Sequence, residues 1–120
     1  QTLIEAAREL GVTHHKTGTV ITIEGPRFST KAESNFFRLI GGHVINMSTV
    51  PEVILARELG ICYASVAMST DYDCWRQGEE SVTWKMISRI MKDNAENVKK
   101  LLLDVIPKID FNDCGHCGGK

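Results

Sequence analysis

Two carboxylates one residue apart, Asp71 and Asp73, stand where a long apolar run gives way to polar residues. That placement allows three kinds of chemistry. They could present oxygens to a divalent cation such as Mg²⁺. They could read a heterocyclic base through a ring nitrogen and an amino group. Or they are solvated loop residues or helix caps. Burial would raise the pKa of such a carboxyl and let its protonated form donate a proton. A second candidate is Val44-Ile45-Asn46-Met47-Ser48-Thr49-Val50-Pro51-Glu52. Thr49 and Glu52 have the spacing of a capping box, and a proline suits a first helical turn. A strand entering a helix here would aim free backbone N–H groups and a positive dipole end at an anion, phosphate above all, with Ser48 adding a hydroxyl. An ordinary capped turn is the plain alternative. A third stretch, Glu24-Gly25-Pro26-Arg27-Phe28-Ser29, offers the Phe28 ring as an apolar face for a flat molecule. Glu24 reads as a hydrogen-bonded strand-end acid, and Arg27 as a partner for Glu33 or Glu52. Met47 reads first as a gap-filling core residue. His14, His15 and His43 lie apart from any cysteine or acid cluster and read as surface residues.

The elements that must position these groups alternate. Residues 1–10 place Leu3, Ala6, Ala7 and Leu10 on one helical face, and Gly11 ends it. Residues 18–23 are rich in β-branched side chains and read as a strand. Thr30 and Glu33 make another capping box, opening a helix with Ala32, Phe36, Phe37 and Ile40 inward; Gly41-Gly42 stops it. Residues 43–47 are the next strand. The helix after it would bury Val50, Val53, Ile54 and Leu59 and stop at Gly60. Residues 61–68 are a continuous apolar run, suited to a strand buried on both faces. After a loop through Gly78-Glu79-Glu80, the longest helix spans 83–105, with a stripe of Met86, Ile87, Ile90, Met91, Val98, Leu101, Leu102 and Val105. This order favours an α/β sandwich with mostly parallel strands, whose carboxyl ends would bring all three candidate stretches to one side. Three strands make a narrow sheet with exposed edges. Together with a first residue, Gln1, already inside a helix, this leads us to expect a piece of a longer protein.

The 120 residues suffice for one small domain; 42% are hydrophobic and the net charge is −1. That balance gives no bulk attraction for nucleic acid or an anionic membrane, and neither a spanning segment nor a signal peptide is expected. Cys62 lies in the apolar run and reads as a small core residue. Cys114 and Cys117 form the single Cys-x-x-Cys pair, so a zinc site of two such pairs is excluded within this chain. The Gly- and Cys-rich end reads as loosely ordered.

Three motifs in order, Thr22-Ile23-Glu24-Gly25-Pro26-Arg27-Phe28-Ser29, Asn46-Met47-Ser48-Thr49-Val50-Pro51-Glu52 and Ala67-Met68-Ser69-Thr70-Asp71-Tyr72-Asp73-Cys74-Trp75, resemble those of the 5′-methylthioadenosine phosphorylases, in the trimeric branch of the purine nucleoside phosphorylase family. The resemblance covers 1–107, leaving 108–120 as a Cys/Gly-rich tail. It implies the C-terminal portion of a three-layer αβα sandwich, without the family's glycine-rich phosphate loop and Arg-His-Gly segment. By motif, it places phosphate on Ser48 and ribose on Met47. Phe28 packs on purine and sugar, Asp71 meets N7 of the base and Asp73 its 6-amino group. The implied reaction is phosphorolysis of 5′-methylthioadenosine to adenine and 5-methylthioribose 1-phosphate, an activity of purine and methionine salvage. Asp71 acts as the acid at N7, and one such contact is worth roughly 3–4 kcal/mol of barrier. The resemblance calls for no metal and no cofactor, phosphate being a co-substrate, and implies a cytoplasmic homotrimer. Specificity follows from Ser29 and Asp71, where 6-oxopurine phosphorylases carry glutamate and asparagine. It also follows from Trp84 and Ile87, where those enzymes place a histidine for a 5′-hydroxyl; an apolar wall suits a methylthio group. Trp84 departs from the smaller aliphatic residue expected there. Two other classes stay open: a noncatalytic nucleoside-binding fragment, and a thiol-redox or metal-binding module on the tail. Cys114-Gly115-His116-Cys117 looks like the dithiol of protein disulfide isomerases, but lacks the strand-then-helix setting that lowers a thiol pKa. Cysteine-rich C-termini linked to disulfides in heat-adapted phosphorylases are the nearer likeness.

Overall fold

The computed structural model describes residues 1–76 and 83–110. The loop expected through Gly78-Glu79-Glu80 and the Cys114–Cys117 pair lie outside the described residues. Helix α1 (Thr2–Glu9) is followed by strand β1 (Val20–Thr22), helix α2 (Lys31–Leu39), strand β2 (Val44–Asn46), helix α3 (Glu52–Glu58) and the long helix α4 (Trp84–Val105), which runs into a 3₁₀ turn, Ile106–Lys108. The five helices and strands up to α3, and α4, stand where the sequence pattern puts them. β1 and β2 are parallel, in the register Val20↔Val44, Ile21↔Ile45 and Thr22↔Asn46, with α2 as the crossover between them. A parallel pair needs such a crossover, because no hairpin can join strands running the same way.

Local chemistry accounts for α2. The Thr30 hydroxyl accepts from the Glu33 N–H, and the Glu33 carboxylate accepts from the Thr30 N–H, the reciprocal bonding expected of that spacing. Thr83 caps α4 with a single bond, its hydroxyl accepting from the Met86 N–H at 3.3 Å. Gly11, Gly41 and Gly60 follow α1, α2 and α3 with φ of +65°, +84° and +67°. Gly42 is a close-packing glycine: a Cβ there would sit 2.7 Å from Ile21 Cγ1 and 2.8 Å from the Phe37 carbonyl oxygen. The gap it leaves lets the end of α2 approach β1.

The core is small. Ala6 and Ala7 of α1 meet Leu101 and Val105 of α4, flanked by Leu3 and Val12. Lys108 ties the same pair of helices at the surface, bonding Asp104 at 2.7 Å and Glu9 at 3.2 Å. Both carboxylates, Asp104 first, raise the Lys108 pKa. His14 is half-buried rather than at the surface, its Nδ1 donating to the Val12 carbonyl at 2.7 Å. His15 and His43 are exposed, as expected.

Three expectations fail together. Residues 61–68 form no strand and are exposed, Ile61 by 56%. In α2, Phe36 and Ile40 lie in solvent, Phe37 is half-buried, and the buried residue is Ser34. In α3, Ala56 is buried, while Ile54 and Leu59 are exposed. The first half of the α4 stripe is partly covered: Ile87 and Ile90 are half-buried, while Met86 and Met91 are about half exposed. The cause is common to all. A central strand and the apolar faces of covering helices need neighbours across the sheet, and the described residues supply only the β1–β2 pair. The chain exposes 9974 Å², where a compact monomer of its 13.4 kDa would expose about 6,500 Å². Cys62, expected in the core, is exposed and disulfide-bonded. Among the described residues no helix is long and apolar enough to cross a membrane.

Candidate functional site

The parallel pairing delivers the ends of β1 and β2 to the same place. Thr22, at the end of β1, and Asn46, at the end of β2, are register partners, and Thr49 folds back onto both. The Thr22 and Thr49 hydroxyls each lie 2.9 Å from Asn46 Oδ1 and 2.7 Å from one another. Beyond this knot opens a cleft of about 400 Å³, lined by Thr22, Ile23, Glu24, Gly25, Met47 and Val50. A Cβ on Gly25 would come within 3.0 Å of Met47 Sδ, so the glycine is what lets Met47 lie across the end of β1. Met47 is 38% exposed and borders the cleft.

The knot changes the reading of Ser48. Thr49 spends its hydroxyl on Asn46 and Thr22, and Glu52 is hydrogen-bonded to the Tyr63 hydroxyl, so the expected Thr49–Glu52 capping box does not form. Partial burial first, and the Glu52 bond second, raise the Tyr63 pKa. Pro51 stands at the N-cap without a side-chain cap bond. The N–H groups of Val53 and Ile54 are taken by the carbonyls of Thr49 and Pro51. With seven residues in α3 and these donors occupied, the helix start is not the open anion site that the sequence suggested. Ser48 keeps an exposed hydroxyl at the end of β2.

Phe28 stands 84% exposed on a turn that is firmly held. Arg27 Nη1 donates to the Phe28 carbonyl at 3.1 Å, and the same guanidinium grips Glu33 with contacts of 2.8 and 2.6 Å. Hydrogen bonding by Arg27, then by the Thr30 backbone and hydroxyl, lowers the Glu33 pKa to about 2. The pairing of Arg27 with Glu33 is one of the two that the sequence offered.

The carboxylate loop reaches this turn from the far side of the sequence. Cys74 Sγ donates to the Ser29 carbonyl at 3.4 Å. Asp73 is half-buried; its Oδ1 accepts from the Cys74 N–H at 2.9 Å, and its Oδ2 is buried with no partner. A buried acceptor without a donor is costly and marks a place where a ligand donor fits. Asp71 is exposed, with Thr70 Oγ1 donating to its Oδ1 at 2.5 Å. Asn94 of α4 holds the start of the loop, donating to the Ser69 carbonyl at 3.0 Å. Trp84 opens α4, 80% exposed, and Ile87 is half-buried one turn later; neither lines the cleft. The structure thus brings Met47 to Glu24 and Gly25, and Cys74, next to Asp73, to Ser29. Sequence reasoning missed Cys74 and Asn94 as holders of the loop. Only the adjacency of Cys74 to the Asp pair hinted at either.

A parallel β–α–β unit with a ligand-sized cleft at its strand ends is where α/β proteins bind ligands. Residues 1–107 match the phosphorylase superfamily, and the chain belongs to that family. It is 57% identical over 109 residues to S-methyl-5′-thioadenosine phosphorylase of Xenopus tropicalis, an alignment covering 91% of this chain and 39% of that protein. The enzyme of the same name from Thermofilum pendens is 53% identical over 106 residues, covering 88% and 40%. Among solved structures, methylthioadenosine phosphorylase from Schistosoma mansoni in complex with adenine superposes with a TM-score of 0.76 at 38% identity, covering 90% of this chain and 43% of that one. A methylthioadenosine phosphorylase from an antarctic soil metagenomic library gives 0.81 at 35% identity, covering 90% and 39%. The fold is therefore the α/β fold of these phosphorylases, represented here by few strands. The chain spans about two fifths of the length of these relatives.

Proposed function

We propose that this chain supplies the purine and ribose side of a 5′-methylthioadenosine phosphorylase site. The observation that carries this reading is the 57% identity over 109 residues to an enzyme of that name, across the segment that holds the cleft and the acidic loop. The geometry supports it at two points. Met47 borders the cleft where a ribose would lie, and Asp73 offers an unpartnered oxygen suited to an exocyclic amine. In the reaction, a phosphate oxygen bonds to the anomeric carbon as the N-glycosidic bond breaks. The bonding pair leaves with the base, and Asp71 protonates N7. Phe28 covers the purine and sugar, Ser48 holds phosphate, Ser29 and Asp71 select adenine, and Trp84 with Ile87, outside the cleft of this chain, faces the 5′-methylthio group once the remainder of the site is in place. Asp71 is exposed in this chain, so the water exclusion that such a step needs comes from the remainder of the site. The reading includes phosphate as co-substrate, no further cofactor, a homotrimer and a cytoplasmic location.

The test is a chimera in which this chain replaces the matching 109 residues of the Xenopus tropicalis relative. It should release adenine from 5′-methylthioadenosine only with phosphate present, giving the sugar 1-phosphate. Free methylthioribose as the product, or release without phosphate, would refute the reading.

A further inference from the structure

We propose that Arg38 is a positioning residue, which holds the Asp73 loop against the Phe28–Ser29 turn by stacking on Trp75. The inference rests on the nucleoside reading above, since it assigns a reason for fixing Asp73. The Arg38 guanidinium lies 3.7 Å from the centroid of the Trp75 ring. Trp75 meets Tyr72 edge to face, 6.1 Å between centroids and 86° between planes. Arg76 in turn lies 3.9 Å over Tyr72. The four side chains form one run of contacts, Arg38–Trp75–Tyr72–Arg76. Asp73 is in the chain between the two aromatic residues, in a turn closed by the Arg76 N–H on the Asp73 carbonyl at 3.2 Å. The contact of Cys74 with the Ser29 carbonyl supplies a second attachment.

Arg38 can act as an anchor because α2 is itself fixed. The helix is held at its start by the reciprocal Thr30–Glu33 bonds and by the Arg27 grip on Glu33. A planar guanidinium lies flat on an indole, where an ammonium would be only a point charge. The simpler role for Arg38 is that of a cation in the last turn of a helix, favoured by the dipole. Lysine would serve that role equally well; it would serve the stack only in part.

The experiment has two readouts, quenching in this chain and adenine binding in the chimera described above. With Trp84→Phe, Trp75 is the remaining one of two tryptophans, and its access to acrylamide reports the stack. With Trp84 intact, adenine is titrated and its Kd measured. Arg38→Gln should raise acrylamide quenching of Trp75 and weaken adenine binding by about three- to tenfold, with Arg38→Lys intermediate in both. Equal quenching in Arg38→Gln and the parent overturns the proposal, as does an unchanged adenine Kd where the parent binds. Full restoration of both readouts by lysine also overturns it, in favour of a helix-end charge. A parent chimera that takes up no adenine at millimolar concentration overturns the nucleoside reading instead, and the stack is then judged on quenching.

Discussion

Asp73→Asn should reverse base preference rather than merely weaken binding. In the structure Oδ1 is committed to the Cys74 N–H, and Oδ2 is the free, buried atom. The amide oxygen of asparagine takes the place of Oδ1 and keeps the Cys74 bond. The amide nitrogen then stands in the place of Oδ2, so a donor meets the donor of a 6-amino purine. The lost interaction is a hydrogen bond to a charged acceptor, worth about 1.5–3 kcal/mol. Adenine affinity should therefore fall roughly ten- to hundredfold. A 6-oxo purine presents an acceptor to the same nitrogen, so hypoxanthine affinity should hold or improve. The assay is calorimetric titration of both bases into the chimera described above, parent and variant. If adenine and hypoxanthine weaken by the same factor, Oδ2 does not read position 6, and the argument from its missing partner is refuted.

In the same chimera, Ser48→Ala should raise the phosphate KM by roughly tenfold and Ser48→Thr should be close to neutral. An unchanged phosphate KM in the alanine variant would leave Ser48 outside the site. Glu33 predicts a pH dependence. Its folded pKa of about 2 lies below the ordinary 4.5, so its stabilising effect is complete above pH 4.5 and disappears as pH falls toward 2. The stability gap between parent and Glu33→Gln should close across that window in denaturant titrations; a gap constant over the window would contradict the assignment. Gly42→Ala must displace Ile21 or the Phe37 carbonyl, and should destabilise by about 1–3 kcal/mol. An unaltered urea midpoint would show that the contact relaxes freely.

What could be read in the sequence was local. The Thr30–Glu33 box, the long helical stripe over 83–105 and the β-branched run of β1 are properties of neighbouring residues, and all three elements appear as expected. Misread elements depended on distant partners. Thr49 had the spacing of a cap, yet its hydroxyl bonds Thr22, 27 positions earlier. Glu52, the other half of that box, is drawn to Tyr63. Residues 61–68 carry the composition of a central strand, which no composition can make without flanking strands. The site divides in the same way. Phe28, Met47 and Asp73 could be nominated from motif positions. The attachment of Asp73 to Ser29 through Cys74 spans 45 positions and needs coordinates to be seen.

The uncovered run Ile61-Cys62-Tyr63-Ala64-Ser65-Val66-Ala67-Met68 has a colloidal consequence. It contains no charge and no proline, and its β-branched and aromatic content suits extended pairing between molecules. Among the described residues, β1 and β2 each offer one unpaired backbone edge on which such a segment can dock. Chains produced at high concentration should therefore associate through 61–68, and turbidity should rise steeply with concentration. A single lysine at Ser65 should suppress it, because a charge in the middle of the run blocks stacking of like segments.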